Sequence, residues 1–476
     1  MTLVYSRMKN TKPDFSSKEE SVASRGQFLF RLTHRPVKTG YLYSLLTILA
    51  LTIATTFAAP GDLDATFGRG GQATSDFGRS NDIANAAALQ ADGKIVTAGI
   101  RFVGNSASTG DFLVARYNTD GTIDKTFGQN GSVVTDFGMT ESASAVAIQP
   151  DGKIVVAGGT YPTFPFLGFY ALARYNSNGT LDTSFGTGGL VITTFNSQGA
   201  FASALVLQPD GKILAAGTKY INFTSDQSSD TDFGIARYNT DGTLDTSFGV
   251  GGEVATDFNK GNDDALAVIL QGDGKIVAAG DATSLTTFID FAVTRYLPDG
   301  SLDTTFGAAG KIETDLGAKN LDQARSVVLQ ADGKIVAAGT TVSKNGLTQQ
   351  FAIVRYNSNG IQDTSFGRRG LTTVNFGSFD QIARSILLQP DGKLVAIGFA
   401  DTESSDSDFL VARVNNNGTL DSTFGTGGQV RTSFGDLNGG ANAGLLQADG
   451  KIVAVGFNAT PTRKGVDFAL ARYLGN

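Results

Sequence analysis

The chain alternates between short apolar runs and clusters of Gly, Asp and Asn, and the alternation has a fixed period. Leu329–Gly339 reads L-Q-A-D-G-K-I-V-A-A-G: an apolar run enters Asp332-Gly333 and a second one leaves it. This pattern predicts a β-hairpin, with Gly accepting φ > 0 in the tight turn at no steric cost. The same Asp-Gly-Lys triplet begins at Asp92, Asp151, Asp210, Asp273, Asp332, Asp391 and Asp449, so it recurs every 58–63 residues. A period of that size is the signature of a repeat architecture.

Residues 143–195 illustrate one unit. Ala143–Gln149 reads as a strand rich in small residues, Pro150–Gly152 as a turn, and Lys153–Gly158 as a β-branched buried strand. A variable loop, Gly159–Gly168, precedes a third strand at Phe169–Tyr175. Asn176–Gly179 turns the chain toward a fourth strand at Leu190–Phe195. Four short strands with turn signals between them, and no sustained helical period, predict an all-β protein. The chain ends on Y-L-G-N, and residues 61–68 read G-D-L-D-A-T-F-G. Joined, they restore the motif Y-L-P-D-G-S-L-D-T-T-F-G of residues 296–307. The expected fold is therefore a seven-bladed β-propeller of four-stranded antiparallel blades. The N-terminal strand near Gln72–Phe77 closes the ring in the last blade, and an open solenoid with capping units is disfavoured.

In this phase the Ala-rich strand is innermost. The uniform Asp-Gly and Asn-x-Asn/Asp-Gly turns share one face, and the variable loops share the other, where binding residues usually collect. The units L-Q-P-D-G-K-I-V-V-A-G and A-R-Y-N-S-N-G-T-L-D-T-S-F-G resemble the delta-60 repeat of bacterial exported proteins, over roughly residues 61–476. The resemblance implies a propeller and a secreted, periplasmic or cell-surface protein. It implies no activity and no site residues.

Composition narrows the chemistry. Residues 1–40 carry a net charge of +5, Tyr41–Phe57 is apolar and uncharged, and Ala58 and Ala59 follow. Basic, apolar, small is the order of an export leader. It divides the chain into a leader, 1–58, and a single repeat domain, 59–476, with no stable membrane span once the leader is cut after Ala58. A retained anchor is the alternative, although its apolar run is short for a bilayer. The whole chain carries −7, so the remainder carries −12. An acidic surface without a basic stripe excludes nucleic acid as a partner. The chain has no Cys, and its only His is His34, in the leader. Thiol nucleophiles, Ser-His triads and His-built zinc sites are thereby excluded from the repeat domain.

Several residue sets stand out. Every unit has an Arg in its third strand: Arg116, Arg174, Arg237, Arg295, Arg355, Arg413 and Arg472. A buried Arg requires a partner, and the Asp of L-D-x-x-F-G is expected to provide it, so these are structural ion pairs. One inner-strand position varies from unit to unit: Asn85, Ser144, Ser203, Leu266, Arg325, Arg384 and Asn442. Arg325 and Arg384 fall in adjacent blades and are the candidate anion site; the competing reading bridges them to Asp322 and Asp380. Aromatic residues of two variable loops, Tyr161 and Phe164 with Tyr220 and Phe223, could form a platform for a sugar or a protein. The stretch 118–124, N-T-D-G-T-I-D, has the alternating oxygens of a calcium loop but lacks a terminal Glu, and Asn replaces Asp in other units. It reads better as a turn, so no metal or cofactor is expected, with calcium the one ion the pattern raises. Glu141 is expected in a loop near the channel mouth, and no pair of acids stands out for catalysis. The expectation is a monomeric binding or scaffold module for a glycan, a small anion or a protein. The alternative is a carboxylate-based hydrolase or lyase acting on carbohydrate.

Overall fold

Each Gln-x-Asp-Gly-Lys stretch folds as a three-residue hairpin loop. At residues 90–94 the Gln90 N–H donates to the Lys94 carbonyl, the Gly93 N–H donates to the Gln90 carbonyl, and Asp92 Oδ1 accepts from the Lys94 N–H at 3.1 Å. Gly93 stands at φ +82° and its counterpart Gly333 also at +82°. This is a turn followed by one left-handed residue, one residue longer than a two-residue hairpin. In the computed structural model, residues 58–476 are described apart from 79–80, 103–108, 162–167, 196–198, 222–229, 285–287, 318–320, 344–345, 347, 378–379, 402–406, 436–437 and 461–464. The predicted leader, up to Phe57, and two of the aromatic candidates, Phe164 and Phe223, lie outside the described residues.

The described strands form seven four-stranded antiparallel sheets, the blades of a propeller. Blade 1 consists of Asp82–Leu89, Ile95–Phe102, Gly110–Tyr117 and Ser132–Thr135, from the axis outward. Blade 2, in the same order, is Thr140–Ile148, Ile154–Tyr161, Phe169–Tyr175 and Leu190–Thr193. Blade 7 is Gly439–Leu446, Ile452–Thr460 and Gly465–Tyr473, completed by Gln72–Ser75. That N-terminal strand pairs Gln72 with Ala471 and Ser75 with Phe468, so the ring closes through the two ends of the described chain. The outer strands are only four residues long because the L-D-x-x-F-G segment before each is taken up by turns. Short outer strands also limit the unpaired edge the propeller presents. Glu141, expected in a loop, lies within the first strand of blade 2.

The core lies between blades. Second and third strands are buried almost throughout, and their Val, Ile, Leu and Ala side chains meet those of the neighbouring blade in seven clusters. A polar fastener recurs at the same interfaces. The Tyr175 hydroxyl of blade 2 lies 2.7 Å from Thr135 Oγ1 of blade 1, and Tyr238–Thr193, Tyr296–Thr256, Tyr356–Thr314 and Tyr473–Thr432 repeat it. Between blades 5 and 6 the corresponding positions hold Val374 and Val414, both buried. Both partners are apolar there, so neither leaves a polar group without a bond.

Each third-strand Arg bonds its own blade and the next. Arg116 Nε is 2.8 Å from Asp124 Oδ2, its Nη1 donates to the Ser177 carbonyl of blade 2, and its guanidinium lies 4.7 Å from the centre of the Phe127 ring. Lys94 of the hairpin turn adds a contact of 3.0 Å to the same carboxylate. The Arg–Asp pair occurs in all seven blades, and in blade 7 it joins Arg472 to Asp64 at 2.9 Å across the ring closure. Burial opposes ionisation of these carboxylates, but hydrogen bonds and the adjacent cations outweigh it. For Asp64, bonds from Thr66 and Lys451 and the charge of Arg472 hold the carboxyl down at about 2.

Candidate functional site

The innermost strand of every blade carries a one-residue irregularity. Opposite the second strand of blade 1, the register steps from Ala84 to Ala86 and leaves Asn85 unpaired. The same step leaves out Ser144, Ser203, Leu266, Arg325, Arg384 and Asn442 in the other blades. These are the seven variable positions, and each is a β-bulge residue, re-aimed by the extra residue in its strand. The bulge depends on the glycine in the middle of each second strand. A Cβ on Gly339 would stand 1.8 Å from the Gln323 carbonyl oxygen, and one on Gly99 would stand 1.9 Å from that of Ile83. Only a residue without a side chain lets the bulged backbone approach so closely. A glycine at the same place in seven strands was the sequence signal for the bulge.

All seven bulge residues line one axial cavity of about 530 Å³, together with Ile83, Phe399 and Phe457. Its wall is polar on most sides and cationic on one, where Arg325 and Arg384 stand in adjacent blades. Arg325 Nη2 donates to Gln323 Oε1 at 2.5 Å, and the Arg384 guanidinium lies 5.5 Å from the centre of the Phe399 ring. The expected bridges to Asp322 and Asp380 are not formed. Asp322 groups instead with Asp290 and Asp315, and Asp380 accepts from the Gln349 N–H. The physical reason is the bulge, which turns both arginines toward the axis, away from the blade edges that hold those acids.

Among the described residues neither arginine has a carboxylate within 4 Å, and the Nε of each is buried without a hydrogen-bond partner. Burial lowers the pKa of both, to about 10 at Arg384, where the neighbouring charge of Arg325 adds to the effect. Arg325 has the charge of Asp281 in its vicinity. Two partly desolvated guanidinium groups side by side attract an anion, and their planar donor forks suit a carboxylate, sulfate or phosphate. Nearer the Asp-Gly-Lys turns, the axis is lined by apolar ends of the same strands, Val206, Leu270, Val328 and Leu388 among them, around about 580 Å³.

The other candidates fare differently. Tyr161 stacks on Phe201 of the next blade, ring centres 5.4 Å apart and planes at 24°, so its face is occupied. Burial, then the nearby Tyr220, pushes its hydroxyl pKa up. The 118–124 stretch is a turn. Asp120 Oδ1 accepts from the Thr122 N–H at 2.9 Å and from Thr122 Oγ1 at 2.6 Å, while Asp124 faces Arg116 and Lys94. Acids do gather, away from the axis, in groups that the sequence did not single out. Among the described residues, four triads, each with carboxylate oxygens within 4.8 Å of one another, stand at blade junctions: Asp76, Asp82 and Asp467; Asp111, Asp136 and Glu141; Asp232, Asp257 and Asp263; Asp290, Asp315 and Asp322. None of these acids lines the axial cavity. The triads escape a reading along the chain because each joins three elements of two blades.

Comparison with known proteins adds a matching family model. A model described as "Domain of unknown function (DUF5122) beta-propeller" matches residues 90–127, 149–185, 208–248, 271–306, 330–366 and 389–424. The chain is a repeat β-propeller. Each matched segment runs from the Gln of the hairpin turn to the Phe of L-D-x-x-F-G, and the seventh such segment is divided between Gln447–Asn476 and the residues up to Phe67. No curated protein sequence matches the chain. Solved structures similar to it include a protein of unknown function from Dyadobacter fermentans, 12% identical, covering 85% of this chain and 98% of that one with a TM-score of 0.46. Another, of unknown function from Bacteroides caccae, is 14% identical and covers 71% of this chain and 96% of that one, TM-score 0.39. The virginiamycin B lyase of Staphylococcus aureus is 9% identical and covers 84% of this chain and 98% of that one, TM-score 0.41.

Proposed function

We propose that this protein is an exported propeller of the delta-60 type that binds a ligand through an anionic group held by Arg325 and Arg384 in the axial cavity. The observation that carries the reading is the pair of adjacent bulge arginines whose buried Nε groups have no partner. A buried donor without a partner costs about 1–3 kcal/mol, and a carboxylate, sulfate or phosphate would satisfy both at once. The absence of any carboxylate among the described lining residues supports binding over acid–base catalysis. Export is supported by the basic, apolar and small-residue order of residues 1–58.

The test is calorimetric titration of the protein with sulfate, phosphate and uronic-acid oligosaccharides, with turnover of the oligosaccharides followed in parallel. Binding should be lost in the double variant R325S/R384S, which places there the residue found in blades 2 and 3, and the melting temperature should hold. Affinity unchanged by the double variant would refute this site. Turnover would favour a hydrolase or lyase.

A further inference from the structure

The acid triads repeat one construction. The first acid opens a third strand, the second follows the fourth strand of that blade, and the third lies at the start of the next blade's inner strand. Asp111, Asp136 and Glu141 do this between blades 1 and 2, and Asp232, Asp257 and Asp263 between blades 3 and 4. Asp136 and Asp257 are exposed, whereas Glu141 and Asp263 are fully buried.

One oxygen of each buried carboxylate is engaged. Glu141 Oε1 accepts from the Met139 N–H at 2.7 Å, and Asp263 Oδ2 accepts from the Phe258 N–H at 2.6 Å. The other oxygen, Glu141 Oε2 or Asp263 Oδ1, is buried and accepts nothing. Arg101 and Lys219 act electrostatically on Asp111 and Asp232, but among the described residues neither forms an ion pair within 4 Å with them. A buried carboxylate oxygen left without a donor beside two further carboxylates is costly unless something positive joins them.

The junction between blades 5 and 6 indicates what is missing. The same three positions hold Gln350, Asn375 and Gln381, which are neutral. Gln381 Oε1 accepts from the Phe376 N–H at 2.7 Å, as the acids do from their own loops. Its Nε2 then donates to Asn375 Oδ1 and to the Gly377 carbonyl, both at 3.1 Å. The amide nitrogen supplies the positive bridge within the side chain. Where a carboxylate replaces that amide, the bridge must come from outside.

We propose that the triads Asp111–Asp136–Glu141 and Asp232–Asp257–Asp263 each bind a calcium ion that joins neighbouring blades. The ligands are all oxygen, which selects a hard cation. Oxygens spread over as much as 4.8 Å fit across calcium, whose ligand distances of about 2.3–2.6 Å place opposite oxygens about 5 Å apart. Magnesium draws its ligands to about 2.1 Å and demands a tighter octahedron. Without the ion, burial, and then the nearby Asp136 and Asp111, pushes Glu141 up to about 7. Burial, with the nearby Asp257, likewise raises Asp263 to about 7. The acids of the other two triads occupy equivalent positions.

The experiment is equilibrium dialysis of the full chain against ⁴⁵Ca after chelation, at pH 7.5, with melting curves in calcium, in magnesium and in matched sodium chloride. At least two calcium ions per chain are expected, with a melting temperature that rises with calcium and not with equal magnesium. The triple variant D111Q/D136N/E141Q copies the amide junction and should bind one ion fewer while keeping its fold. D136N and D257N alter exposed residues only, and each should weaken one site at least tenfold even if the triple variant misfolds. No uptake at millimolar calcium would overturn the proposal. So would unchanged stoichiometry and affinity in D136N and D257N, or a melting temperature that responds to pH and not to calcium. The proposal is independent of the arginine cavity, whose test contains no calcium.

Discussion

The two faces of the propeller treat charge in opposite ways. On the turn face, seven copies of one Arg–Asp pair, each also reached by a Lys, keep every Arg Nε within 2.7–2.9 Å of its carboxylate. On the loop face and along the axis the copies diverge. The bulge position runs through Asn, Ser, Ser, Leu, Arg, Arg and Asn, and the junction position is acidic in some blades and an amide in one. Charges repeated in every blade are neutralised within the fold, whereas Arg325, Arg384, Glu141 and Asp263, at positions that vary between blades, each keep a buried atom without a hydrogen bond. Repetition therefore marks structure here, and departure from it marks the places able to take a ligand.

Acid is the strongest way to break the ordered face. Asp64, Asp182, Asp363 and Asp421 are held at about 2, because hydrogen bonds and neighbouring cations outweigh the effect of burial. Their unfolded value is about 4, so they contribute stability above that pH and lose it as pH falls from about 4 toward 2. Circular dichroism during acid titration should show cooperative unfolding in that window. Equal stability at pH 2.5 and pH 6 would contradict the pairing.

A single pair can also be broken. Asp303→Ala leaves Arg295, 6% exposed, without its carboxylate and should cost about 3–5 kcal/mol in urea unfolding. A loss below 1 kcal/mol would show that the Lys and backbone contacts suffice.

The inner ring is tested through its glycine. Gly339→Ala drives a Cβ against the Gln323 carbonyl 1.8 Å away and should cost about 1–3 kcal/mol or more as the bulge is forced apart. It should also disturb anion binding through Arg325. Unaltered stability would mean that the strand relaxes and that the bulge is not held by this contact.

A smaller effect separates paired from unpaired polar groups between blades. Tyr175→Phe removes the partner of Thr135 Oγ1 and should cost about 1–2 kcal/mol. Adding Thr135→Val should restore part of it, since Val374 and Val414 form an apolar counterpart between blades 5 and 6. A double variant no more stable than the single one would exclude that equivalence. Smallest of all, Ser144→Asn, the residue of blades 1 and 7, should change stability by no more than about 0.5 kcal/mol. A larger loss would mean that the ring position is set by packing.

The sequence alone determined the repeat, the four-stranded unit, the all-β class, the ring closure and the Arg–Asp partners. These rest on local turn chemistry and on a motif copied seven times, so each copy corroborates the others. It also singled out the variable position holding Arg325 and Arg384, because a departure is visible against six comparable units. Tertiary structure decided the rest. The bulge turns those arginines to the axis and away from Asp322 and Asp380, an effect of one backbone step that residue types do not state. Phe201 covers the ring of Tyr161, although the two are separated by a variable loop, a third strand and an outer strand. Asp111 and Glu141 are 30 residues apart and belong to different blades, and they meet only when the blades pack. Contacts within a repeat follow from the spacing of residues along the chain. Contacts between repeats depend on the angle and distance at which rigid sheets are packed, and those are properties of the closed ring.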